Sequence, residues 1–140
     1  MSALSELEIR ILSELEEAGE ENVAAMLNTI IDPVGDAAEL TSLQGALEKL
    51  VGADLVRMSM TRDSAGRLRE LSAEGSLDAI TDLSSGLRFS REKKHWTDTR
   101  HSGPPYGDPF PYIVNTERGK EKGFEILDSR GYQWWRPKKK

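Results

Sequence analysis

The side chains that could do chemistry in this 140-residue chain are two histidines, many carboxylates and a late run of cations. His95, Asp98 and His101 form the one grouping of metal-ligand types, yet their spacing fits no standard site and they lie in a polar stretch, so no metal is expected. The absence of cysteine removes disulfides, thiolate metal sites and a cysteine nucleophile together. Neither a glycine-rich phosphate loop, nor a glycine-serine-glycine elbow, nor a His-Glu-x-x-His pair occurs. The carboxylates fall mostly on the first two helical segments as solvated residues. No pair stands in an apolar setting that would drive two pKa values apart for acid–base work. The expectation is a protein that is not an enzyme and needs no cofactor.

The cations suggest different chemistry. Net charge is −5, but residues 1–56 carry 12 acidic and 2 basic side chains while residues 57–140 carry 12 acidic and 17 basic. Such a split fits a polyanion-binding surface in the second half, self-association through complementary faces, or two ordinary solvated faces. Arg57, Arg62, Arg67 and Arg69 flank a hairpin signal, and Arg88, Arg91, Lys93, Lys94 and Arg100 surround His95, Trp96 and His101. Cations interleaved with an aromatic ring suit phosphate contact combined with base stacking. The alternative is one polar face of a sheet whose edge Trp96 covers. Trp134 and Trp135, ahead of Lys138, Lys139 and Lys140, either stack on a ligand or latch the terminus onto the core or a second subunit.

The elements that must position these residues are marked by caps and periodicity. Ser5 with Glu8 reads as a capping box, and Leu4, Leu7, Ile11, Leu15 and Ala18 form an apolar stripe, predicting a helix over 6–18 that Gly19 ends. A second helix is expected from Glu20 or Glu21, with Val23, Met26, Leu27, Ile30 and Ile31 inward, stopping at Asp32-Pro33. A third starts at Asp36 or at Thr41 and runs to about Ala53, after which Leu55 to Thr61 alternates like a strand. Asp63 to Gly66 carries turn chemistry, with Arg67 to Ser72 as the returning strand. Ser76 is expected to cap a short helix ending at Gly86, and Leu87 to Arg91 to be a strand. Four prolines and two glycines between Gly103 and Pro111 predict a loop. Pro111 to Asn115 reads as a strand and Thr116 as the cap of a last helix over 117–130, with Phe124, Leu127 and Ile126 inward.

Two stretches carry a family likeness. Ala46-Leu47-Glu48-Lys49-Leu50-Val51-Gly52-Ala53-Asp54-Leu55-Val56 resembles the end of the recognition helix and the entry to the wing in MarR- and PadR-like bacterial regulators, with Asp54 at the αL turn position where glycine is usual. Val114-Asn115-Thr116-Glu117-Arg118-Gly119-Lys120 resembles the entry to their helix after the wing. The resemblance implies an α+β fold: a winged helix-turn-helix core of three N-terminal helices and a β-wing, followed by a C-terminal helix. About 50 residues between Thr61 and Pro111 have no counterpart in the short wing of those families. The expected organisation is therefore one domain over 1–140, with its core at 5–61 and 110–131, a wing insertion at 62–109 and a tail at 132–140.

In such a fold the third helix reads bases in the major groove while neighbouring cations meet phosphates. Here it offers Ser42 and Gln44 as base readers and Lys49 as its one cation, so the basic insertion is the better suspect for DNA contact. The leading expectation is a cytoplasmic homodimeric transcription regulator that contacts DNA through an enlarged wing. The alternative is a winged-helix scaffold for a protein partner, using the acidic first helices or the proline-rich loop. The chain has no apolar run of membrane-spanning length, and no membrane contact is expected.

Overall fold

The computed structural model describes residues 4–98, 111–132 and 134–135. Helix α1 (Glu6–Ala18) starts as its capping box requires. The Ser5 hydroxyl accepts from the Glu8 N–H at 3.2 Å, and the Glu8 carboxylate accepts from the Ser5 N–H at 3.3 Å. Gly19, at φ 85°, takes the left-handed turn that releases the chain. The second helix begins later than its periodicity suggests. Glu20–Asn22 forms a short strand, β1, and Asn22 caps α2 (Val23–Ile30) by accepting from the Ala25 N–H at 2.8 Å. Asp36, rather than Thr41, caps α3 (Ala37–Gly52) through the Ala38 N–H at 2.9 Å. Asp54 adopts φ 61°, the turn conformation expected of it, and the chain passes into β2 (Val56–Arg62).

The segment expected to be a wing insertion is itself folded. It comprises β3 (Leu68–Glu70), α4 (Ala73–Thr81), a 3-10 turn over Asp82–Ser85, β4 (Leu87–Ser90) and β5 (His95–Asp98). The chain closes with β6 (Tyr112–Asn115) and α5 (Glu117–Arg130), capped by Thr116. Ser72, not Ser76, caps α4. Ser76 lies fully buried one turn further on, where its hydroxyl accepts from the Met58 N–H at 2.9 Å and so ties α4 to β2. The proline-rich stretch expected over 103–111 lies outside the described residues except for Pro111, whose carbonyl accepts from the Val23 N–H at 3.1 Å.

Among the described residues the protein is α+β, with five α-helices and two small antiparallel sheets. The larger sheet has the order β1-β6-β2-β3: Glu21 faces Ile113 across one ladder and Met58 faces Ile113 across the next, so the late strand β6 is inserted between two early ones. β1 was invisible to periodicity because three residues hold too little alternation. Its backbone pairing with β6 overrides the helical character of its neighbours.

Helix α1 packs against α5, α2, α3 and β6. Being enclosed on several sides, it buries Glu8, Ser13 and Glu14 beside Ile11, Leu12 and Leu15. α5 approaches through glycine rather than through bulk. A Cβ on Gly123 would stand 2.9 Å from the Leu12 carbonyl oxygen, and one on Gly119 would run into the Leu55 carbonyl oxygen. The inward face of α5 is accordingly Gly119, Gly123, Ile126 and Leu127. Phe124, one residue or about 100° round the helix from Gly123, is 61% exposed. The expectation that it points inward was wrong because it took the bulkiest apolar residues for the packed face. No described helix is long and apolar enough to cross a membrane.

Two glycine substitutions separate these roles. Gly119→Ala is expected to lower stability in denaturant titration by about 2–3 kcal/mol, since backbone must move to admit the methyl group. Gly45→Ala, inside α3 where a new Cβ meets nothing within 4 Å, is expected to raise stability by about 0.5–1 kcal/mol. Equal effects at both positions would contradict the packing.

Candidate nucleic-acid interface

The inserted segment folds back over α2 and α3, and a few polar side chains fasten it there. In the β4–β5 hairpin Phe89 faces Trp96 across the ladder, one pair behind the Ser90–His95 pair that leads into the turn. The two rings meet edge to face with centroids 5.7 Å apart. Asn28 on α2 mimics another strand: its Oδ1 accepts from the Trp96 N–H at 2.7 Å and its Nδ2 donates to the Trp96 carbonyl at 2.8 Å. On α3 the Glu39 carboxylate accepts from the Trp96 indole N–H at 3.1 Å and from the backbone N–H groups of Val34 and Gly35 at 2.9 and 3.0 Å. Gly35, at φ 89°, admits the Phe89 ring against its α-carbon, and any Cβ there would lie 2.5 Å from Phe89 Cδ2. On the other side α4 packs on α3, where Gln44 Nε2 donates to the Ile80 carbonyl at 2.8 Å.

This arrangement sorts the residues marked out by sequence. Gln44 is committed to α4. Ser42 and Lys49 remain exposed on α3, in a stripe with Thr41 and Glu48 whose one cation is balanced by one anion. Arg57 is structural: its guanidinium meets Asp54 at 2.5 Å and donates to the carbonyls of Val56 and Val51 at 2.9 and 3.3 Å, closing the C-terminal end of α3 where cations are favoured. Arg67 sits 3.8 Å from Asp63 at the β2–β3 turn, Arg69 is exposed on β3, and Arg62 is the last residue of β2. Arg88 donates to the carbonyls of Ser84 and Leu87 at 2.9 and 2.8 Å. Arg100 and His101 lie outside the described residues.

Arg91, Lys93 and Lys94 are the ones brought together. With Glu92 they make the exposed turn of the β4–β5 hairpin, Lys94 at φ 57°, and their side chains have no hydrogen-bond or ion-pair partner among the described residues. The tip thus presents three unpaired cations on a base held firmly by its neighbour Trp96.

The tryptophans are not open to a ligand. Trp96 is 6% exposed and its ring is part of the fastening. Trp134 donates through its indole N–H to Ser13 Oγ at 2.9 Å beneath the Arg130 guanidinium, 4.4 Å from the ring centroid. Trp135, 7% exposed, packs edge to face on it, so this pair latches the tail to α1 of the same chain. Sequence reasoning missed Asn28, whose one hint is that it is a lone amide in an otherwise apolar helix. A shallow, mainly apolar groove of about 300 Å³ lies beside Leu7, Leu27, Ile31 and Val34, with Val34 77% exposed.

Comparison with family models, with curated proteins and with solved structures gave no match.

Asn28→Ala removes both hydrogen bonds to the Trp96 backbone. It is expected to cost about 1–3 kcal/mol and to speed amide exchange in β4 and β5 before the rest of the fold opens. Unchanged exchange in the hairpin would show that the amide does not hold it.

Proposed function

We propose that the chain is a winged helix-turn-helix protein with an enlarged wing, a transcriptional regulator that contacts nucleic acid through the tip of the β4–β5 hairpin. The fold reading is supported by the element order and by the placing of β6 between β1 and β2. The likeness of Ala46–Val56 and Val114–Lys120 to the corresponding stretches of MarR- and PadR-like regulators supports it as well. The functional reading rests on one observation, the three unpaired cations at Arg91, Lys93 and Lys94 on a pre-positioned turn. Exposed cations without carboxylate partners are free to replace the counterions of a phosphate backbone. The α3 face is poorly suited to the task, with Gln44 held by α4 and Lys49 its single cation. With Trp96 buried, base stacking is unavailable at this site, so the contact is with the backbone and discriminates weakly among sequences.

Three phosphate contacts correspond to a slope of about −2.7 in log K against log salt, or roughly 40-fold weaker binding between about 50 and about 200 mM salt. In anisotropy titrations with a duplex, the triple variant R91A/K93A/K94A is expected to abolish most of that slope. Absence of duplex binding at low salt, or a triple variant that binds like the parent, defeats the proposal.

The second reading, a scaffold that meets a protein, draws on the apolar groove beside the exposed Val34, at the edge of an acidic N-terminal half. It gains if duplex binding is absent while V34D abolishes a defined protein contact.

A further inference from the structure

Where α1, the end of α2 and the start of α3 converge, they leave an apolar groove. It is lined by Leu27, almost fully buried, and by the more accessible Leu7, Ile31, Val34, Ala38 and Ser42. Val34 is 77% exposed, more than any other large apolar residue described. The backbone that presents it is fixed: the Val34 N–H donates to Glu39 Oε2 at 2.9 Å, the Gly35 N–H donates to Glu39 Oε1 at 3.0 Å, and Phe89 packs on Gly35. A groove whose lip is ordered beforehand loses less on binding. The charge around it has one sign. Asp32 and Asp36 stand two residues to either side of Val34, both exposed. Asp36 accepts from the Ala38 N–H at 2.9 Å, and Asp32 has no side-chain partner among the described residues. The two cations of residues 1–56 do not offset them. The Arg10 guanidinium donates to the Ile30 carbonyl at 2.8 Å and lies 3.9 Å from Glu6, and Lys49 is about 10 Å further along α3 than Ser42.

We propose that this groove docks an amphipathic helix of another protein, rich in lysine or arginine, which seats a bulky apolar side chain against Val34, Leu7 and Ile31 and sets its cations against Asp32 and Asp36. This partner supplies the chemistry left open by the scaffold reading, on which the assignment rests. An acidic rim repels a polyanion and attracts a cationic surface. The groove is shallow, so it encloses too little of a small molecule to hold one, whereas a helix laid across it adds contact beyond the groove on both sides. A second copy offers no matching helix. Among the described residues the helices with a bulky exposed apolar side chain are α4 with Leu77 and α5 with Phe124, and their net charges are respectively acidic and neutral. One apolar anchor and two exposed carboxylates make a small contact, so the complex is weak and sensitive to salt.

The test is a proton–nitrogen NMR titration of the full chain with two peptides of about 16 residues, long enough for helix to form. One carries leucine along one face and lysine elsewhere; in the other, glutamate replaces every lysine. The lysine peptide is expected to shift the amide signals of Leu7, Ile31, Val34 and Ser42 and to bind at least about tenfold more tightly than the glutamate peptide. V34S removes the apolar lip and is expected to weaken binding about tenfold. D32N/D36N is expected to weaken it about threefold to tenfold and to lower its salt dependence, with α3 still capped because asparagine caps as well as aspartate. All three positions are exposed, so circular dichroism should show both variants folded. Shifts spread over the whole acidic half, or a V34S variant that binds like the parent, would reveal attraction to charge alone and overturn the proposal. A glutamate peptide seated in the groove as tightly as the lysine peptide overturns the cationic partner but leaves the scaffold reading standing. If neither peptide reaches the groove, both fail. Groove signals that broaden with chain concentration in the absence of peptide assign the site to a second copy and overturn the proposal as well.

Discussion

The Glu39 carboxylate organises the inserted half of this protein. It takes N–H bonds from Val34 and Gly35 at the entry to α3 and from the Trp96 indole on the hairpin, joining two segments 57 positions apart in the chain. A carboxylate at this point of a helix is favoured by the helix dipole and by the unpaired N–H groups of the first turn. The same charge that sets the start of α3 is therefore available to receive the insertion at little extra desolvation. Asn28 completes the junction by satisfying both backbone groups of Trp96. Without these acceptors, burying the Trp96 indole and backbone would leave polar groups unpaired, each costing on the order of 1–3 kcal/mol.

That junction has a consequence for α3. Its flank is filled by α4, and the turn before it by Phe89, so on the winged-helix reading proposed above the helix expected to approach DNA has lost part of its reach. Ile80, Leu83 and Leu87 of the insertion are buried with the rest of the core. The cover is thus an integral layer of the fold, and displacing it would expose several fully buried side chains at about 1.5–3 kcal/mol each. This layer packs on α2 and α3, and its far end carries the exposed cations of the β4–β5 turn.

Much of the frame was legible in the sequence wherever local chemistry decides the outcome. Ser5 with Glu8, Asp36 and Thr116 all mark helix starts, because a side chain that satisfies first-turn N–H groups acts within three residues. The errors occur where distant partners decide. β1 is a strand only because β6 lies beside it. Ser76 was read as a cap, yet its hydroxyl serves β2, and Ser72 takes the cap. Phe124 was assigned inward by size, whereas the close approach of α5 selects Gly119 and Gly123, and helical geometry then turns the phenyl ring out. The charge split between the halves was plain in the composition, but which cations are free was not. Only neighbouring carbonyls and carboxylates separate Arg57 and Arg88 from Arg91.

That last distinction decides what the basic half can do. An arginine whose guanidinium already closes a helix end or bonds its own chain must give up those bonds before it can meet a phosphate. Arg57 and Arg88 therefore contribute to the long-range field more than to any contact. The cations of the hairpin turn lose only solvent and rotamer freedom, and the backbone that carries them is already ordered by the Trp96 junction. Ordering a loop at the moment of binding subtracts from affinity, so a turn fixed beforehand loses less of its electrostatic gain. Glu39 and Asn28 touch no ligand in this reading. They act by holding Trp96, and through it they set how much of the charge on Arg91, Lys93 and Lys94 is available for binding.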